Sequence, residues 1–227
     1  MYQKKMPKSQ KPFSNEFTAY NPHSINLENR NWTDPIKVIS IDPGIRNLAL
    51  RVESRGIHGN YPIKTLVFDM LHIKEEERKL VGNVDQLFLY ITNFLDQYLK
   101  IFKESHIMII ERQLPTNYRA VRISQHIITY FLMNLKDLPQ LAMIMEIDPK
   151  LKGRELGASK HLNERGIKVW SVEYSQSLLT KRQDWNGLEK LNKSKKKDDL
   201  ADTICQIEAL FSFNKWPLTQ EVKTLKL

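Results

Sequence analysis

From Lys37 onwards, hydrophobic positions fall into short runs and stripes whose spacing names the elements. "KVISID" is a short apolar run ended by Pro43 and Gly44, the pattern of a buried strand entering a turn. "LALRVES" alternates apolar and polar residues as a second strand, and "IKTLVFDMLHI" supplies a third after the turn "RGIHGNYP". Three strands in series with short connections predict an antiparallel meander. The spacing then becomes helical: Val84, Leu87, Phe88, Ile91, Leu95, Tyr98 and Ile101 mark one stripe. "HIMIIE" is an apolar strand ending on a charge. "NYRAVRISQHIITYFLMNL" turns Val121, Ile127, Ile128, Phe131 and Leu135 inward along an amphipathic helix, and "QLAMIMEIDP" is a fifth strand stopped by Pro149.

Residues 150 to 196 are polar and basic. Within them "ERGIKVWSVEYSQSLLTKR" reads as part strand and part helix, and "NKSKKK" as a mobile stretch. The helix "LADTICQIEALFSF" closes the pattern, with Leu200, Ile204, Ile207 and Phe211 as its core stripe. The order predicts an α/β domain with a mixed five-stranded sheet, meander first, flanked by helices. It spans residues 37–215, after an N-terminal arm (1–36) that is flexible or loosely docked and before a short tail (216–227).

Composition narrows the function classes. The 227 residues carry 35 Lys and Arg against 26 Asp and Glu, a formal net charge of +9 that suits an anionic partner such as nucleic acid. The single Cys205 excludes an internal disulfide framework and a thiolate metal cluster, and points to a reducing compartment. No run of about 18 apolar residues predicts a membrane span. The arm lacks an apolar signal core, and it holds Glu16 and Glu28 and is rich in Lys and Asn rather than Arg, unlike a transit peptide.

The carboxylates are more specific. Asp42 ends the first strand and Glu111 the fourth, where an unpaired charge against the core is costly. Ligands of open α/β sheets gather outside strand ends. Asp199 and Asp202, three apart, share one face at the start of the last helix, away from its apolar stripe. Two readings compete there. Acids opening a helix can cap its free N–H groups and favour the dipole. Hard oxygen ligands can instead hold Mg²⁺ or Mn²⁺, which would activate a water and stabilise the leaving oxygen in phosphodiester cleavage. The strand-end Asp, strand-end Glu and helical Asp-x-x-Asp occurring together favour the second. Geometry alone leaves Asp198 open as a ligand.

"IDPGIRNLAL", "IIERQ" and "KKDDLADT", in this order, resemble the RuvC-like Holliday junction resolvases of the RNase H-like superfamily, in particular the poxvirus and mitochondrial branch. The resemblance covers roughly residues 37 to 213. It implies a Mg²⁺-dependent endonuclease, Mn²⁺ substituting, that acts as a homodimer on branched DNA and nicks opposing strands of a four-way junction. Its catalytic and metal-binding residues would be Asp42, Glu111, Asp199 and Asp202, the family pattern preferring Asp199 to Asp198. For a viral member it implies the cytoplasmic site of replication. The family often sets a basic residue before the last helix. Lys150, Lys152, Lys168 and Lys181 are available, with Lys168 the first choice.

Arg46, Arg112, Arg119, Arg122 and Lys195–Lys197 flank the acidic residues and suit phosphate contacts that read shape rather than bases. Tyr118 and Tyr130 can stack on an opened base pair or pack in the core, packing being the commoner fate. The six His residues show no ligand spacing. Two rivals remain: an RNase H-like nuclease acting on RNA–DNA hybrids or flaps, and a catalytically silent nucleic-acid-binding module.

Overall fold

Strand β2 (Ile36–Pro43) sends alternate side chains into two cores: Ile39 and Ile41 join one apolar cluster, Ile36 and Val38 the other. That is the period of two a pleated strand imposes. In this computed structural model, which describes residues 17–19, 35–56, 63–73, 84–135 and 143–214, β2 pairs antiparallel with β3 (Asn47–Arg55), and β3 with β4 (Lys64–His72). This is the expected meander. Gly44 is required in its first turn, because a Cβ there would stand 2.3 Å from the Asn47 carbonyl oxygen. Most of the second turn, and the tail 216–227, lie outside the described residues.

On the other side of β2 run β5 (Ile107–Glu111) and then β6 (Met143–Ile147), both parallel to it. These five strands form the predicted mixed sheet. A sixth, β1 (Phe17–Ala19), pairs antiparallel with β6 and comes from the arm, where the sequence shows no periodicity. The order across the sheet is β1-β6-β5-β2-β3-β4.

Helices α1 (Val84–Asp96), α2 (Leu99–Phe102) and α3 (Tyr118–Leu135) cover one face. Ile91, Leu95, Phe102, Ile127, Ile128, Phe131 and Leu135 are buried against Ile39, Ile41, Leu48 and Leu50. Val121 is only half-buried, and Ile123 fills the core instead. The single stripe expected through Ile101 is interrupted by a turn at residues 97–98.

The other face is covered by α4 (Leu151–Glu155), α5 (Glu164–Lys181), α6 (Trp185–Lys193) and α7 (Lys197–Phe213). On this face the structure differs from the expectation in three places. The segment expected to be part strand is helical throughout residues 164–181, and Asn163 caps it by accepting from the Gly166 N–H at 2.9 Å. "NKSKKK", expected as a mobile stretch, is half helical: Asn192 and Lys193 end α6, Lys197 opens α7, and only residues 194–196 link them. Finally, α7 is not one-sided. It lies between β2 and β3 on one side and α4, α5 and α6 on the other, so Thr203, Gln206 and Glu208 are buried together with its apolar stripe.

Candidate active site

Strand parity brings the first two carboxylates together. Ile41 pairs with Ile110, so Asp42 and Glu111 come next along two adjacent parallel strands. Asp42 follows Ser40, and Glu111 follows Ile109, on the face that α7 covers. From α7, Asp202 enters this corner and Asp199 stands a turn nearer the helix start. Gln206 ties the corner together. Its Nε2 donates to Glu111 Oε2 at 3.3 Å, while its Oε1 accepts from Ser40 Oγ at 2.7 Å. Asp199 Oδ2 accepts from Asn47 Nδ2 at 2.9 Å, and Asn47 Oδ1 lies 2.8 Å from His72 Nδ1. Since that amide oxygen only accepts, His72 Nδ1 is the donor of this bond.

Lys152, on the short helix α4, penetrates this group. Its Nζ lies 2.6 Å from Asp202 Oδ2 and 3.2 Å from Glu111 Oε2, with only 8% of the side chain exposed. Among the four lysines weighed from sequence, Lys152 rather than Lys168 reaches the carboxylates. Lys168 Nζ instead lies 3.5 Å from Glu164 and 3.9 Å from Asp198 Oδ2. Asp198 is thereby directed towards α5, whereas Asp199 is held by Asn47. Neither aspartate is the N-cap of α7: that position is Lys196, and no side chain caps the helix there.

Electrostatics records the crowding. Burial, and then the charges of Glu111, Asp202 and Asp199, push the Asp42 carboxyl well above the usual range despite the opposing Lys152. Burial also raises Glu111, with Lys152 counteracting and Asp202 adding to the rise. Asp199 is raised by burial and by Asp198. Burial would lower the Lys152 ammonium, but Glu111, Asp202 and Asp42 more than offset it and hold the amine charged.

A cleft of about 300 Å³ opens beside Asp42 and Asp199, lined also by Arg46, Asn47, Gln113, Asn117 and Lys196. Arg46, Lys195 and Lys196 are exposed, as are Arg119 and Arg122 at the start of α3. The two tyrosines separate: Tyr130 is buried, while Tyr118 is 60% exposed, with Leu114 nearby at 67%.

Four hard oxygen donors in kind suit a divalent cation. Asp202 Oδ1 is buried without a hydrogen-bond partner, as an unused ligand oxygen would be. Among the described residues, however, no three Asp, Glu, His or Cys side chains already stand at ligating distance from one point. The cation now between Glu111 and Asp202 is Lys152.

No protein-family model matches the chain. It is 30% identical over 146 residues to the uncharacterized protein 97L of Invertebrate iridescent virus 3, covering 64% of this chain and 67% of that one. The uncharacterized protein 170L of Invertebrate iridescent virus 6 is 26% identical over 144 residues, and the match spans 58% of its length. Among solved structures, Thermus thermophilus RuvC matches with a TM-score of 0.50 at 14% identity, over 80% of this chain and 98% of RuvC. The Fowlpox virus resolvase, solved with its Holliday junction DNA substrate, gives 0.49 at 17% identity over 77% of this chain. Among the described residues no helix is long and apolar enough to cross a membrane. The fold is the RNase H-like fold of RuvC, and by its identity to protein 97L the chain belongs to the family of that iridescent-virus protein.

Proposed function

We propose that this protein is a Mg²⁺-dependent, structure-selective DNA endonuclease that resolves four-way junctions by paired nicks, in recombination or in the processing of replication intermediates. The observation that carries this reading is the meeting of Asp42, Glu111 and Asp202 around Lys152, with Asp199 a turn away, at the ends of the two central parallel strands beside an open cleft. Asp42, Glu111, Asp199 and Asp202 would hold the ion. When bound, Mg²⁺ or Mn²⁺ would supply charge neutralisation at the scissile phosphate and activate the attacking water. Gln206 and Asn47 fix the orientation of Glu111 and Asp199. Arg46 and Lys196 at the cleft mouth would take phosphates flanking the reacting one.

A four-way junction with two symmetric scissile strands calls for two such sites, so the working form is a homodimer. The reading also puts the protein in an intracellular, reducing compartment, which would be the cytoplasmic replication site if the protein is viral. It is tested by incubating the protein with a synthetic four-way junction, a flap, an RNA–DNA hybrid and a linear duplex, with Mg²⁺ or with chelator. Paired nicks in the junction alone, requiring the ion, are expected. Preferred cleavage of the hybrid or flap would transfer the site to a different RNase H-like nuclease. Binding without cleavage of any substrate would leave a silent binding module.

A further inference from the structure

Lys152 is placed where a bound cation would be. Leu151 beside it is fully buried in the α7-side core, so the backbone from which Lys152 projects is fixed. Its ammonium takes one oxygen from Asp202 and one from Glu111, at 2.6 and 3.2 Å, and both residues belong to the proposed ligand set. The other Asp202 oxygen stays buried and unbonded, so the ammonium satisfies only part of what that carboxylate can bind. The missing convergence of three acids also makes sense here: the carboxylates are spaced around an amine with its own contact distances. Four acidic side chains are grouped here with a single buried ammonium. A lysine side chain is a flexible four-carbon stem carrying a compact charge, and it can leave without the backbone moving.

We propose that Lys152 is an exchangeable internal counter-cation: it holds Glu111 and Asp202 in the metal-free chain and is expelled into the cleft when a divalent ion loads. This rests on the reading of the four carboxylates as a metal site. The same contacts would also serve permanent orientation of Glu111 and Asp202, and the two roles have opposite consequences. An exchangeable amine competes with the ion for the same oxygens and repels it, so its removal tightens metal binding. A permanent strut prepares the ligands, so its removal weakens metal binding.

The test uses the full chain without DNA. Mn²⁺ is titrated calorimetrically into the wild type, Lys152→Met and Asp202→Asn, and Lys152 is acetylated in the wild type with and without Ca²⁺ and read by mass spectrometry. Lys152→Met should bind Mn²⁺ tighter by about tenfold or more, since a unit charge a few ångströms from the ion is removed. Asp202→Asn should bind it more weakly. In the wild type, Lys152 should be protected from acetylation without Ca²⁺ and become several-fold more reactive with it. Equal or weaker Mn²⁺ binding by Lys152→Met, or an amine that stays protected at saturating Ca²⁺, overturns the exchange. If Lys152→Met does not fold, the acetylation of the wild type decides alone. A flat titration in both the wild type and Lys152→Met removes the metal site itself, and the exchange with it.

Discussion

Replacing Glu208 by Gln should destabilise the fold severely although it substitutes none of the proposed metal ligands. Glu208 sits on α7, fully buried, and accepts from Arg55 Nη1 at 2.8 Å and Arg182 Nη2 at 2.7 Å. Around it Arg51, Arg55 and Arg182 are balanced by Glu53, Asp184 and Glu208, joining β3, the end of α5 and α7. At an effective dielectric of about 20, each of the two Glu208 contacts is worth about 6 kcal/mol before desolvation. Desolvation cancels most of that, and losing one partner of a buried pair costs about 3–5 kcal/mol, because three guanidiniums then face two carboxylates. For a chain of this length this is a fall in melting temperature of roughly 6–20 °C. Arg182→Met in the same molecule restores the balance, so the double variant should lose less than the sum of the two singles. Thermal and urea unfolding of the four proteins measure this. A loss below about 1 kcal/mol for Glu208→Gln would show that the network contributes nothing specific, contrary to its burial.

The same network should govern acid stability: burial would raise the Glu53 carboxyl, but Arg51, Arg182 and Arg55 bring it from 4.5 down to about 2. A carboxyl lowered in the native state stabilises it above the unfolded value, so about 3 kcal/mol should be lost as pH falls through that window, and Glu53→Gln should abolish this arm of the pH–stability curve. Asp42 has the opposite sign: its raised native pKa means stability declines as pH climbs from 3.8 through the raised value. Asp42→Asn should therefore flatten that decline and gain about 0.5–2 kcal/mol in chelator, while cutting junction cleavage far more than tenfold; a loss within about tenfold, or 1.4 kcal/mol, would remove Asp42 from the site. Asp199→Asn and Asp202→Asn should abolish cleavage with little change in melting temperature, since no side chain caps α7, whereas Asp198→Asn, facing Lys168, should keep most activity. Loss at 198 with survival at 199 would exchange those two roles. Junction affinity should fall linearly in log salt, and a flat response between low and physiological salt would make the +9 net charge incidental.

Periodicity made the sheet and the site's corner readable, because one rule places both. A strand that puts Ile39 and Ile41 on one face must put Asp42 on the other, and the same holds for Ile110 and Glu111. Where burial is achieved by other means, the pattern gives no signal. In α5 the residues buried against α7 include Ser171 and Ser175, with Ser175 near Cys205 at 3.6 Å, so the core face has no hydrophobic stripe to count. On β3, Arg51, Glu53 and Arg55 read as the solvent face of an alternating strand, yet each is fully buried. Arg51 and Arg55 pair with Glu53 on their own strand, but the rest of the compensation comes from Arg182, Asp184 and Glu208, more than 120 residues away in sequence and too distant for any local pattern. Lys152 was one candidate among four. A five-residue helix offers no periodicity to single it out, and both its partners lie more than 40 residues away.

The two charge clusters of this face meet along α7, and their opposite character is the physical basis for an acidic site on a stable fold. At its N-terminal end, Asp199 and Asp202 stand with Asp42 and Glu111, four carboxylates against one ammonium, each charge raising the free energy of the others. About 9 Å further along the helix axis, Glu208 is clamped by two guanidiniums in a network whose charges balance three against three. Gln206, between them, is bonded to both β2 and β5. The repulsion at one end would tilt or fray a helix held only by apolar packing, which is non-directional. Arg55 and Arg182 both donate to the same Glu208 oxygen, at 2.8 and 2.7 Å, so a rotation or axial shift of α7 would cost it both partners. Glu208→Gln should therefore do more than lower stability: in the protein that remains folded, Asp199 and Asp202 lose their register against β2 and β5. Metal affinity in Glu208→Gln, measured well below its melting temperature, should fall although no ligand has been touched. Unchanged affinity would mean that apolar packing alone positions the helix.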